Sequence, residues 1–303
     1  MTDILLKTAG FLLTIFAGYM FKRIGLLKAA DAAVLRKIML NLTLPCVLAG
    51  SVQNMNLSAD LLVPLIVGFI TAPIAVAFCH LVARKKDRRT QAMYMLNIAS
   101  FNVASVSVPF ISAFMPAAAL SVSSIFDIGN AIYGTGGVNA YASCRVDSSR
   151  KFRILDVLNS ARKSTPLMIY VPLLLLFLLG VRLPDGFYTL IRTFGASNSF
   201  LAFFIIGLMI DFSMDKADLG EILRALLMRY VFLLPMIAVI WLLPIDLLVR
   251  QVLILCLTAP FSSIAAAFCA NLGCKPQQAG MLNTLSLFTS LATTVLFMII
   301  WSM

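Results

Sequence analysis

The sequence predicts an all-α polytopic membrane protein, with ten transmembrane helices arranged as two inverted five-helix repeats. Three observations carry that expectation. Of 303 residues, 61% are hydrophobic and only 12% charged, whereas a soluble domain of this size is nearer half apolar and a quarter charged. The charges gather in short basic clusters between apolar runs, and the runs number ten. The longest connection, 142–165, divides them five and five, and two similar halves with an odd number of spans must insert with opposite orientation.

The first run, 4–21, follows Met1-Thr-Asp3 directly, without a basic leading segment or a small-residue cleavage site, so it reads as a retained span. The second, 38–53, is short and carries Asn41 and Thr43 ahead of Pro45, with Gln53 and Asn54 at its outer end. The third, 61–83, ends at His80 beside the basic cluster Arg84 to Arg89. The fourth and fifth, 92–114 and 117–141, turn at Pro116, and Asp127 is the only charge between Arg89 and Arg145. The sixth, 166–182, opens at Pro166; the seventh, 194–212, is again short and ends at Asp211; the eighth is 222–243. The ninth and tenth, 248–270 and 278–302, form a hairpin whose turn holds Lys275, the only charge after Arg250. The expected division is a first repeat at 1–144, a cytoplasmic linker at 145–165 and a second repeat at 166–303.

The formal charge of +11 invites a nucleic-acid partner, but the Lys and Arg residues do not share one folded face. They report orientation instead. With the N-terminus outside, twenty of the 24 basic residues, Arg229 among them, fall in cytoplasmic connections, and only Arg182, Arg192 and Arg250 fall outside, with Lys7 near the outer end of the first span. That bias places both termini outside a cell membrane. Six cysteines without a CxxC pair or a histidine partner predict buried thiols, with no disulfide framework, no metal and no cofactor.

The chemistry is expected at the fourth and ninth spans, Asn97-Ile-Ala-Ser-Phe-Asn-Val-Ala-Ser-Val-Ser-Val-Pro109 and Thr258-Ala-Pro-Phe-Ser-Ser-Ile264. A proline removes a backbone donor, and lipid cannot replace the partner, so such breaks survive where they face protein or a water-filled cavity. Asn102, Ser105, Pro109, Pro260, Ser262 and Ser263 are the candidate substrate-binding residues, with Asn130 on the same helical face as Asp127. Asp127 is the deepest acid, the type of residue that marks an ion pathway, and is assigned to proton coupling. Asn41 and Pro45 are supporting candidates. No deep Lys or Arg is expected as a counter-charge, so helix dipoles would hold the anion. HExxH, a GxGD aspartyl pair and a Ser–His dyad are all missing, which argues against an enzyme.

Several segments recur in a fixed order: Asn41-Leu-Thr-Leu-Pro45; Asn102 followed by Val108-Pro109; Asp127 with Asn130 and Gly137; Pro166; Ile206-Gly207-Leu208; Ala259-Pro260; Ala270-Asn271-Leu-Gly-Cys-Lys275; and Thr284-Leu-Ser286. In these the chain resembles the auxin efflux carrier family in its compact prokaryotic form, which includes malonate- and malate-type carriers. The resemblance implies ten spans in two inverted repeats, broken helices 4 and 9 that cross, and transport of organic anions. It also implies a fold like that of bile acid:sodium symporters and sodium/proton antiporters. Ser100 and Ser107 stand where the family favours glycine, and the long central loop of the plant members is missing. The expected function is alternating-access transport of a small organic anion, a mono- or dicarboxylate, driven by protons or by membrane potential. Sodium coupling and a pore are the alternatives, the partners are the anion, the ion and the bilayer, and a homodimer is left open.

Overall fold

The structure is a computed structural model that describes residues 2–52, 61–162, 164–181, 184–210 and 218–302. Gln53, Asn54, Asp211, Arg182 and part of the 145–165 connection, Lys163, lie outside these. Helices α1 (Thr2–Arg23) and α2 (Asp31–Ile38) lead into a π-helical turn, Met39–Thr43, and α3 (Leu44–Val52). The π turn falls immediately ahead of Pro45, whose missing N–H and ring displace the hydrogen-bond ladder. Next come α4 (Leu62–Val82) and α5 (Arg88–Ile98); Asp87 caps α5, its Oδ1 accepting from the amides of Arg89 and Thr90 at 3.0 Å each. A π-helical turn, Val103–Ser107, precedes α6 (Val108–Phe114), and another, Ala131–Gly137, joins α7 (Ala117–Asn130) to α8 (Val138–Val146). The rest are α9 (Ile154–Arg162), α10 (Thr165–Leu178), α11 (Asp185–Ala196), α12 (Asn198–Met209), α13 (Leu219–Leu242), α14 (Leu247–Leu257), α15 (Ser263–Asn271) and α16 (Pro276–Ser302).

Among the described residues there is no strand, only one isolated β-bridge. By length and composition five helices among the described residues can cross a membrane: Asp31–Ser51, Leu62–Val82, Asp185–Met209, Leu219–Leu242 and Gln278–Trp301, with a sixth if α9 and α10 count as one bent span. The stretches read as spans 4, 5 and 9 are each built from shorter helical pieces. Large apolar side chains such as Leu13, Leu81, Leu179 and Leu242 are exposed on the outside, which suits contact with lipid.

Two expectations about the elements need correcting. Spans 2 and 7 are not short: their helices begin at Asp31 and Asp185, because an acid in the first turn suits the positive helix end and polar residues on one face extend each helix beyond its apolar stretch. The 142–165 connection is not a bare linker either. It contains α9, whose Val157 and Ala161 are buried. A Cβ added at Gly136 would lie 2.8 Å from the Val157 carbonyl oxygen, so the glycine lets α9 settle on the π turn.

Glycines also set the closest helix crossings. A Cβ on Gly68 of α4 would lie 2.1 Å from the carbonyl oxygen of Phe126 on α7, and one on Gly207 of α12 would lie 2.0 Å from that of Ile15 on α1. At both crossings only hydrogen fits. The core between them is filled by Tyr94, Phe126, Phe203 and Phe261, all fully buried.

Candidate functional site

Helices α5 and α14 end facing each other. Their last residues lead into Ser100–Asn102 and Ala259–Ser262, where Phe101 and Phe261 pair as the antiparallel bridge and the Asn102 amide donates to the Pro260 carbonyl at 2.9 Å. Pro260 ends α14 because it lacks a donor and forces Ala259 out of the helical region. The remaining backbone groups are matched one by one. The Phe261 amide donates to Ser286 Oγ on α16 at 3.1 Å, and Asn130 Nδ2 donates to the Phe101 carbonyl at 3.0 Å. A break buried in an apolar protein persists only with such matching.

The first break is not at Pro109. That residue follows the π turn Val103–Ser107 as Pro45 follows Met39–Thr43, so its missing N–H is absorbed by the turn within a continuous helical segment, and its carbonyl accepts from Ser199 Oγ at 3.1 Å. The interruption lies earlier, at Ser100 to Asn102, whose short polar side chains compete with the helical ladder; Ser100 Oγ donates back to the Leu96 carbonyl at 2.5 Å.

Arg229 overturns two expectations. It is neither in a cytoplasmic connection nor near solvent: it lies within α13, 3% exposed, against the crossing. Its Nη1 donates to the carbonyls of Ile98, Ser100 and Asn97 at 2.6, 3.2 and 3.4 Å, and its Nη2 to that of Ala259 at 2.8 Å. The guanidinium carbon stands 4.0 Å from the Phe101 ring centre and 5.1 Å from that of Phe261. A deep cation is therefore present, held by the carbonyl ends of the two interrupted helices.

On the other side of the crossing a cavity of about 760 Å³ is lined by Asn102, Ser105, Asp127, Asn130, Ser262 and Ser263, among others. A second cavity of about 400 Å³ shares Asn102, Ser105, Ser263 and Arg36 with it. Asp127 is 4% exposed; its Oδ1 accepts from Asn130 Nδ2 at 2.7 Å and its Oδ2 from the Tyr170 hydroxyl at 3.1 Å. Asn130 thus joins the acid to the crossing through one amide nitrogen. Asn130 Oδ1 has no hydrogen-bond partner among the described residues.

Six of the residues singled out in the sequence meet around this cavity, and Pro260 forms the break above it. Pro109 and Asn41 line neither cavity; Asn41 is exposed and donates to the Lys37 carbonyl at 2.8 Å, while Pro45 shapes the π turn. In place of Asn41 the neighbouring Thr43 turns inward, donating to Asn198 Oδ1 at 2.9 Å. Arg36 lines both cavities, and Tyr170, Ser286 and Arg229 hold the acid or the crossing; the sequence reading did not assign them to the site. Ser286 lay within a family-like segment, but nothing in the linear order marked the other three.

The helical segments that leave the crossing, at Val103 and Ser263, begin at the cavity wall. Their first amides have no intrahelical partner, and each end carries about half a positive charge. The opposing negative ends are covered by Arg229. What remains open is a polar space onto which both segment starts face, with Arg36, Arg150 and the acid Asp127 in its lining. Among the described residues no cluster of three or more His, Cys, Asp or Glu side chains could hold a metal ion.

Apolar helices together with two interrupted ones meeting at an internal polar cavity define the class: a multi-pass membrane transport protein. Residues 4–149 match the family model described as membrane transport protein. No curated protein matches the chain.

Proposed function

We propose that the protein is a secondary active transporter of a small organic anion, a mono- or dicarboxylate, working by alternating access in a cell membrane. The single observation that carries this reading is the asymmetry of the crossing: the amide ends of two half-helices open on one cavity, while their carbonyl ends are closed by Arg229. The substrate carboxylate is held by those amides with Asn102, Ser105, Ser262 and Ser263, and Arg36 draws it in from the side expected to be cytoplasmic. Asp127 carries the coupling proton, since an acid placed this deep is costly and is retained for a pathway. The architecture that goes with this reading is ten spans in inverted repeats at 1–144 and 166–303 about the 145–165 connection, with helices 4 and 9 crossing and both termini outside; the family match, over 4–149, falls on the first repeat.

Counterflow of labelled carboxylates in proteoliposomes tests it. A mono- or dicarboxylate is exchanged, its uptake follows an inward proton gradient, and Asp127→Asn abolishes that dependence while the folded protein remains. Conductance without counterflow would mean a pore. Gradient-driven uptake unchanged in Asp127→Asn would remove the acid from the mechanism.

A further inference from the structure

The structure assigns to Arg229 the place of a bound cation: its guanidinium fills the carbonyl cage at the crossing, where transporters with interrupted helices hold a coupling sodium ion, and so makes this protein independent of sodium. Four backbone oxygens converge on it from two separate breaks, Asn97, Ile98 and Ser100 from one and Ala259 from the other, at 2.6 to 3.4 Å. An array of converging carbonyl oxygens is the donor set of a hard cation. Among the described residues no carboxylate forms an ion pair with Arg229. Its charge is matched by the two helix ends, each equivalent to about half a negative charge, which together make about one unit.

The side chain also suits this task better than an ammonium would. A planar fork lets one nitrogen serve the end of α5 while the other reaches Ala259, so a single residue ties both breaks together. Phe101 and Phe261, the two bridge residues, lay their rings against the same guanidinium and cover it. With those four carbonyl oxygens taken by the guanidinium, the cage itself has no room for a sodium ion, and coupling is left to the acid on the cavity side. Only this last consequence rests on the transporter reading; the occupancy of the cage does not.

The test is melting of the purified full-length chain in sodium, potassium and choline chloride at equal ionic strength. Wild-type protein melts at one temperature in all three. A higher melting temperature in sodium than in choline would overturn the proposal, whatever any variant does. Arg229→Ala melts lower, and methylguanidinium or sodium, but not choline, restores part of the loss by re-entering the emptied cage; a loss that no cation relieves means a packing role and overturns it. If Arg229→Ala does not fold, Arg229→Lys takes its place. Lower melting in Arg229→Lys that sodium raises supports the cage, and lower melting that is the same in all three salts counts against it. In proteoliposomes, replacing sodium with choline leaves wild-type uptake unchanged. Should no carboxylate be carried at all, the transporter reading fails, while the melting series still decides the role of Arg229.

Discussion

Asn130 offers the sharpest test of how the acid is connected to the crossing. Its Nδ2 is shared between Asp127 Oδ1 at 2.7 Å and the Phe101 carbonyl at 3.0 Å, so Asn130→Ala strips a donor from two buried acceptors at once. Leaving a buried acceptor unsatisfied costs about 1–3 kcal/mol, and more when it is charged, so the variant loses about 2–5 kcal/mol. For a chain of this length that corresponds to a fall of roughly 5–15 °C in melting temperature. A thiol-reactive fluorophore reads the unfolding directly, because Cys79, Cys256 and Cys269 are free and buried. In an Asp127→Ala background that acceptor disappears and the same substitution costs only the Phe101 share, so the pair departs from additivity by about 1–2 kcal/mol. Losses that add within about 0.5 kcal/mol would refute the shared-donor reasoning.

Three further outcomes are expected. Gly68→Ala forces a Cβ to within 2.1 Å of the Phe126 carbonyl and costs about 1–3 kcal/mol in the same melting assay, whereas Gly10→Ala, with nothing within 4 Å, costs nothing. Arg36→Gln raises the KM for anion uptake about tenfold, corresponding to ~1.4 kcal/mol, and leaves the melting temperature near that of wild type; an unchanged KM would take Arg36 out of the entry path. Asp87→Ala loses about 1 kcal/mol with the cap of α5. The hydroxyl of Thr90 and the capped amides hold the Asp87 carboxyl below its ordinary value of 3.8, so its contribution is full above that value and is lost as pH falls through the lower folded one. Melting of Asp87→Asn accordingly depends less on acid pH than that of wild type.

Polar residues inside apolar runs were the legible part of the site. Asn102, Ser105, Ser262, Ser263, Asp127 and Asn130 stand out because nothing in lipid would satisfy them, and they do line one cavity. Prolines were read less well. Pro260 interrupts its helix, while Pro109 is absorbed by a π turn within a continuous segment, and the linear pattern of a proline amid small polar residues is the same for both. Arg229 was hidden for another reason. Basic residues near the start of an apolar run look like part of the preceding loop, and only the tertiary arrangement shows that two helix ends converge on that side chain. The α9 helix was missed because Asp156, Arg162 and the flanking charges mask a short apolar face that has a partner only once the π turn is in place.

The position of Arg229 has a consequence for how the chain is made. Synthesis runs from the N-terminus, so Asn97, Ile98 and Ser100 exist well before Arg229 emerges, and Ala259 follows it by one short helix. A lone arginine at the centre of an inserting helix costs about 2.5–3.5 kcal/mol. Here three of its four acceptors already wait in the first half of the molecule. The early half therefore acts as a receptor for the late one, and a chain from which α5 is deleted would leave α13 with a charge that it cannot place.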